Sequence, residues 1–103
     1  MSESTNMTLV RVYCTEGEGR MRKLLARLHD EEKVRGVTVF RGIAGFGASG
    51  RIHSSGLIDL ALDLPLVIEF FDEPEKAARI IEDLSGSVKP GHIVSWPIQV
   101  HMP

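Results

Sequence analysis

The chain holds one cysteine, Cys14, in 103 residues, which excludes an internal disulfide framework. No apolar run approaches the roughly 20 residues of a helical membrane span, so direct membrane insertion is not expected. Charge of neither sign is in excess: 12 basic and 14 acidic residues leave a net charge of −2. A nucleic-acid binder normally carries a strong basic surplus, so that class is set aside. His29, His53, His92 and His101 show no metal spacing such as His-x-x-x-His, and no metal site is expected. No Ser/His/Asp or Cys/His set can be drawn from the pattern, so the chain is not expected to be an enzyme. Cys14 ends a predicted strand and reads as a buried thiol rather than a nucleophile. The polar opening lacks the basic and apolar regions of a secretion signal, and cytoplasm is the expected compartment.

What is present fits one small domain over residues 8–103, behind a frayed tail at 1–7. Val10, Val12 and Cys14 alternate with Leu9, Arg11 and Tyr13, a first strand. Thr15-Glu16-Gly17-Glu18 has capping-box spacing, weakened by its glycines. Met21, Leu24, Leu25 and Leu28 form one helical stripe, which should end near 32–35 with Gly36 as a left-handed exit. Val37–Arg41 alternates as a second strand, and Leu64–Phe71 is a more fully buried third. Asp72-Glu73-Pro74 starts a second helix with the stripe Ala77, Ile80, Ile81, Leu84 and a stop at Gly86. A final strand, His92–Val100, aligns Val94, Trp96, Ile98 and Val100; Pro97 implies that it lies at a sheet edge or ends there.

The order β-α-β, long loop, β-α-β is that of an α+β, ferredoxin-like βαββαβ sandwich. Two helices would cover one face of a four-stranded antiparallel sheet, leaving the other bare. Val37, Val39 and the outer side of the Leu64–Phe71 strand are expected on the bare face, where apolar area favours self-association. Arg41 would share that face, and Glu69, if buried, would need a partner, with Arg41 the nearest candidate. Trp96 reads as core or interface packing.

The most informative stretch joins the second and third strands. Five of the ten glycines fall between Gly42 and Gly56. Ordering so long and glycine-rich a loop costs entropy, which usually means that something uses it. Gly45-Phe46-Gly47-Ala48-Ser49-Gly50 matches G-x-G-x-x-G, but no helical stripe follows, as the dinucleotide fingerprint requires. An anion cradle of backbone N–H groups and a merely flexible loop both remain open. Arg41, Arg51 and His53 lie in or beside it and suit phosphate or carboxylate contacts.

Arg41-Gly42-Ile43-Ala44-Gly45-Phe46-Gly47, Asp63-Leu64-Pro65-Leu66-Val67-Ile68-Glu69-Phe70 and Ser85-Gly86-Ser87-Val88-Lys89-Pro90-Gly91-His92-Ile93-Val94 together resemble the PII-like signalling proteins. The likeness covers about residues 8–100 and is nearest to a small, functionally uncharacterised branch with a Gly/Ser-rich T-loop. It puts the T-loop at about 44–63 and the B-loop at about 85–91. It implies a homotrimer that binds a small anionic effector, an adenine nucleotide (ATP, ADP or AMP), at inter-subunit clefts; no cofactor is required. It also implies regulation of a partner such as a membrane channel or transporter through the T-loop. The effector contacts carried over are Arg41, Gly45, Phe46, Gly47, Lys89, Gly91 and His92; Ser49, Arg51 and His53 would face the partner. His92 stands where PII proteins place a phosphate-contacting lysine, and Pro90 where an aspartate is usual. The alternatives are a small ferredoxin-like enzyme or metal-handling protein, or a ligand-free interaction module.

Overall fold

The computed structural model describes residues 3–15, 19–45 and 64–102, and the backbone alone of 53–54. The elements run β1 (Glu3–Thr15), α1 (Arg20–Ala26), a π-helical turn (Arg27–Glu31), β2 (Val37–Arg41), β3 (Ala44–Gly45), β4 (His53–Ser54), β5 (Pro65–Asp72), α2 (Pro74–Leu84) and β6 (Ile93–Met102). Four strands form one antiparallel sheet in the order β2-β5-β1-β6. This is the ferredoxin-like order. β3 and β4 pair separately.

Strict alternation in β5 sets the layers: Leu66, Ile68, Phe70 and Asp72 are buried, and the residues between them are half-buried. Register places Val10 opposite Phe70 and Val12 opposite Ile68, so both strands offer one apolar surface. Leu24 and Leu28 descend on it from α1 and its π turn, and Ala77, Ile80 and Leu84 from α2. Both predicted stripes therefore cover the same face. Each fully buried Val, Leu, Ile or Phe side chain there contributes about 1.5–3 kcal/mol.

The start of α2 is fixed by a buried acid. Asp72, 2% exposed, accepts the Glu73 backbone N–H at 2.8 Å through Oδ1. Lys76 Nζ lies 3.1 Å from Oδ2 as a charge pair and donates to the Lys33 carbonyl at 2.8 Å. A charge so buried requires such partners. Pro74 occupies the first turn as expected.

Four expectations are corrected. The left-handed residue after α1 is Lys33 (φ 53°), not Gly36. The wide π turn ends the helix early, and the Val34 N–H returns to the Leu28 carbonyl at 3.1 Å. Residues 3–7 are not a frayed tail: Glu3 pairs with Met102 and Met7 with Ile98, and Met7 is 2% exposed. Their backbone bonds come from β6, a partner that hydropathy does not announce. Val37 and Val39 do not line the bare face. They sit opposite Phe70 and Ile68 and pack against the core, which leaves Thr38 and Phe40 outside. Arg41 shares their parity, so it too lies on the helix side.

The uncovered face carries Tyr13, Phe40, Val94, Trp96 and Met102, between 37% and 48% exposed. Pro97 lies in β6 at the sheet edge, as expected for a residue that cannot donate to a ladder.

Candidate functional site

Arg41 ends β2, and immediately beyond it the backbone passes very close to Pro65. The Gly42 N–H donates to the Pro65 carbonyl at 2.7 Å. A Cβ on Gly42 would lie 2.7 Å from Pro65 Cγ, so only glycine fits. Pro65 opens β5, where its missing N–H is tolerated. Ala44 then pairs with Ser54 and Gly45 with His53. The start of the long loop is therefore braced on a proline ring and paired with residues 53–54. Phe46, Gly47, Ser49 and Arg51 lie outside the described residues, as does most of 44–63; His53 is described by its backbone only.

The second set of candidates sits on the connection from α2 to β6. The His92 N–H donates to the Lys89 carbonyl at 3.1 Å, closing a turn with Pro90 and Gly91 at its centre. Gly91 has φ 82°, and proline followed by a left-handed glycine is the signature of a type II turn. Here is a physical reason for Pro90: it presets the first central φ. His92 Nδ1 lies 3.2 Å from the Pro90 carbonyl, which can only accept, so Nδ1 is the donor in this contact. The His92 carbonyl accepts the Tyr13 N–H at 2.8 Å, docking the turn onto β1. Lys89 is exposed and makes no ion pair with a described residue.

Arg41 pairs with Leu66, Leu66 with Cys14, and the neighbouring Tyr13 holds His92. Both candidate groups thus occupy one end of the sheet, toward its opposite edges. Three strand spacings put them about 14 Å apart.

Glu69 is not the partner of Arg41, which lies on the other face. It binds Arg11, its direct cross-strand neighbour, with Nε 2.7 Å from Oε1. The Arg11 guanidinium also sits 5.5 Å from the centroid of the Trp96 ring. Hydrogen bonds to Glu69 first and Tyr13 second push the Arg11 pKa further up. This cluster was missed from the sequence; the signal was the shared parity of Arg11, Leu9 and Tyr13. Cys14 is half-buried, and desolvation raises its pKa against a smaller opposing effect of Arg20, which keeps it a thiol. A groove of about 450 Å³ between the π turn and β2 lies away from both candidate groups and is lined largely by apolar residues with the His29–Asp30 pair.

Residues 7–100 match the model of the DUF190 family, described as "Uncharacterized ACR". The chain belongs to this family. A UPF0166 protein of Aquifex aeolicus is 37% identical over 82 residues, covering 76% of this chain and 78% of that protein. Among solved structures, CPII of Thiomonas intermedia bound to ADP and bicarbonate superposes with a TM-score of 0.66 at 15% identity, covering 97% and 91% of the two chains. A putative PII-like signalling protein of Thermus thermophilus gives 0.63 at 17% identity, covering 97% and 92%. The DUF190 chain thus has a PII-like fold.

Proposed function

We propose that this protein is a PII-like signal-transduction protein that binds an adenine nucleotide at clefts between subunits. The observation that carries this reading is the placement of the glycine neck and the Lys89–His92 turn at one end of a PII-like sheet. The bound ADP of the structurally similar CPII supports the choice of ligand. The assembly is a homotrimer packed through the bare sheet face, where the exposed aromatic and aliphatic side chains need cover. Arg41, Gly45, Phe46, Gly47, Lys89, Gly91 and His92 contact the effector, with Lys89 supplying positive charge and His92 a polar contact from its ring. Binding shifts the Ala48–Asp59 loop toward a partner-competent state, and Ser49, Arg51 and His53 face a partner such as a membrane channel or transporter. The role is regulatory rather than enzymatic, and the compartment is the cytoplasm. No helix among the described residues is long and apolar enough to cross a membrane.

The metal-handling alternative draws no support from the described residues, where no three His, Cys, Asp or Glu side chains converge. Isothermal titration with ATP, ADP, AMP and cyclic dinucleotides, alongside the solution mass, tests the proposal. Saturable heat from one adenine nucleotide on a trimer is the expected result; a trimer silent to the whole panel would overturn the effector assignment.

A further inference from the structure

A second concave site opens on the helical layer, within one chain. It is a cleft of about 300 Å³ between α1 and the turn after α2, lined by Arg20, Lys23, Leu24, Arg27 and Ser87. That volume is at the low end for small-ligand sites. Arg20, Lys23 and Arg27 are spaced i, i+3 and i+7, which puts three cations on one helical face.

Arg27 is held in place before any ligand arrives. Its Nη2 donates to the Asp83 carbonyl at 2.9 Å, satisfying an otherwise orphan group in the last turn of α2. Its Nη1 reaches Ser87 Oγ at 3.5 Å, a long contact that leaves the hydroxyl hydrogen free to donate elsewhere. Its Nε is shut off from solvent without a hydrogen bond, with carboxylates of Glu31 and Glu32 at 3.6 and 3.7 Å. Those two acids offset part of the local charge but belong to the chain beyond Arg27, and neither lines the cleft. Lys23 is exposed and makes no ion pair with a described residue. Among the described residues, the side chains at the cleft are donors over an apolar floor, Leu24, with no acidic group among them.

The geometry points to an oxyanion site: we infer that this cleft takes a phosphate group, with Lys23, Arg20 and the Ser87 hydroxyl as contacts and Arg27 as the fixed cation behind them. Ser87 is two residues before Lys89, so an occupied cleft tethers the 85–91 segment to α1. The site lies within one chain, and the inference does not rest on nucleotide binding between subunits.

The test follows backbone amides by two-dimensional NMR while inorganic phosphate is added to the full-length protein at constant ionic strength. Saturable shifts at Leu24 and Ser87 are expected, with affinity about tenfold weaker in Lys23→Gln and restored in Lys23→Arg. Lys23 is exposed and has no described ion-pair partner, so neither variant threatens the fold. Repeating the titration with ADP present separates two sources of the group: competition means that the cleft holds the nucleotide's own phosphate, and independence means free phosphate. Shifts that do not saturate, that chloride reproduces, or that Lys23→Gln leaves unchanged would overturn the inference. A protein that ignores every nucleotide but passes this titration would lose the proposed effector and keep this site.

Discussion

Arg11 and Glu69 face each other directly across the central β1–β5 pair, with 2.7 Å between Nε and Oε1, in the middle of the apolar side of the sheet that no helix covers. Ion pairs in water contribute little, because screening and side-chain entropy cancel most of the attraction. The same pair sealed inside an interface behaves differently, since removing one partner strands the other charge away from water. Glu69→Ala is therefore diagnostic of what covers this face. With a second copy there, it should raise by about tenfold or more the concentration at which the assembly half-dissociates, measured by sedimentation or mass photometry. An unchanged mass profile would mean that the face remains wet.

The neck of the long loop rests on a contact that permits no side chain. Gly42→Ala would force a Cβ to within 2.7 Å of Pro65 Cγ and so displace the first residue of β5 or the exit from β2. Overpacking of this kind costs about 1–3 kcal/mol. Gly36→Ala is the control: nothing lies within 4 Å of the added carbon and its φ is not left-handed. There the loss of unfolded-state freedom should stabilise by about 0.4–1 kcal/mol. Urea unfolding of both variants checks the pair of signs.

Alternation and helical stripes were enough to place both helices, the four sheet strands and the edge position of Pro97, because those signals are local. Which way β2 faced was not local. Val37 and Val39 are apolar and could have served either surface; pairing opposite Phe70 and Ile68 decided it, and a one-residue slip would have reversed every side chain. The same parity made Arg11, and not Arg41, the partner of Glu69. The turn at Lys33 was hidden because a π-helical end shifts the left-handed residue away from the glycine that would normally hold it. The candidate residues about Gly45 and Lys89–His92 came from a family resemblance, whereas the Pro65 brace needed three-dimensional proximity.

Cys14 offers a pH test. Burial raises its folded-state pKa above the ordinary value near 9.0, so the folded chain holds the thiol proton more tightly than the unfolded chain does. Stability from this group is full below the unfolded-state value and is lost as pH rises through the folded one. Thermal midpoints should therefore fall on moving from pH 8 to above pH 9, less steeply in Cys14→Ala. Alkylation by iodoacetamide should lag that of a cysteine peptide at pH 8. Equal alkylation rates would show that the thiol is open to solvent.

The turn that carries Lys89 depends on a residue free to be left-handed. Gly91 has φ 82° with open space where a Cβ would stand, so Gly91→Ala suffers backbone strain and no clash. About 1 kcal/mol of stability should be lost, because the left-handed conformation strains an L side chain. Lys89→Ala, by contrast, removes an exposed cation without a described ion-pair partner and should leave stability within about 0.5 kcal/mol. If this turn holds the effector, both variants should weaken nucleotide binding, Gly91→Ala through geometry and Lys89→Ala through charge. Only Lys89→Ala should also flatten the salt dependence of the affinity, since only it deletes a charge. Calorimetric titrations at two ionic strengths separate the two effects. A Lys89→Ala protein with native affinity and native salt dependence would place the phosphate contacts elsewhere on the chain.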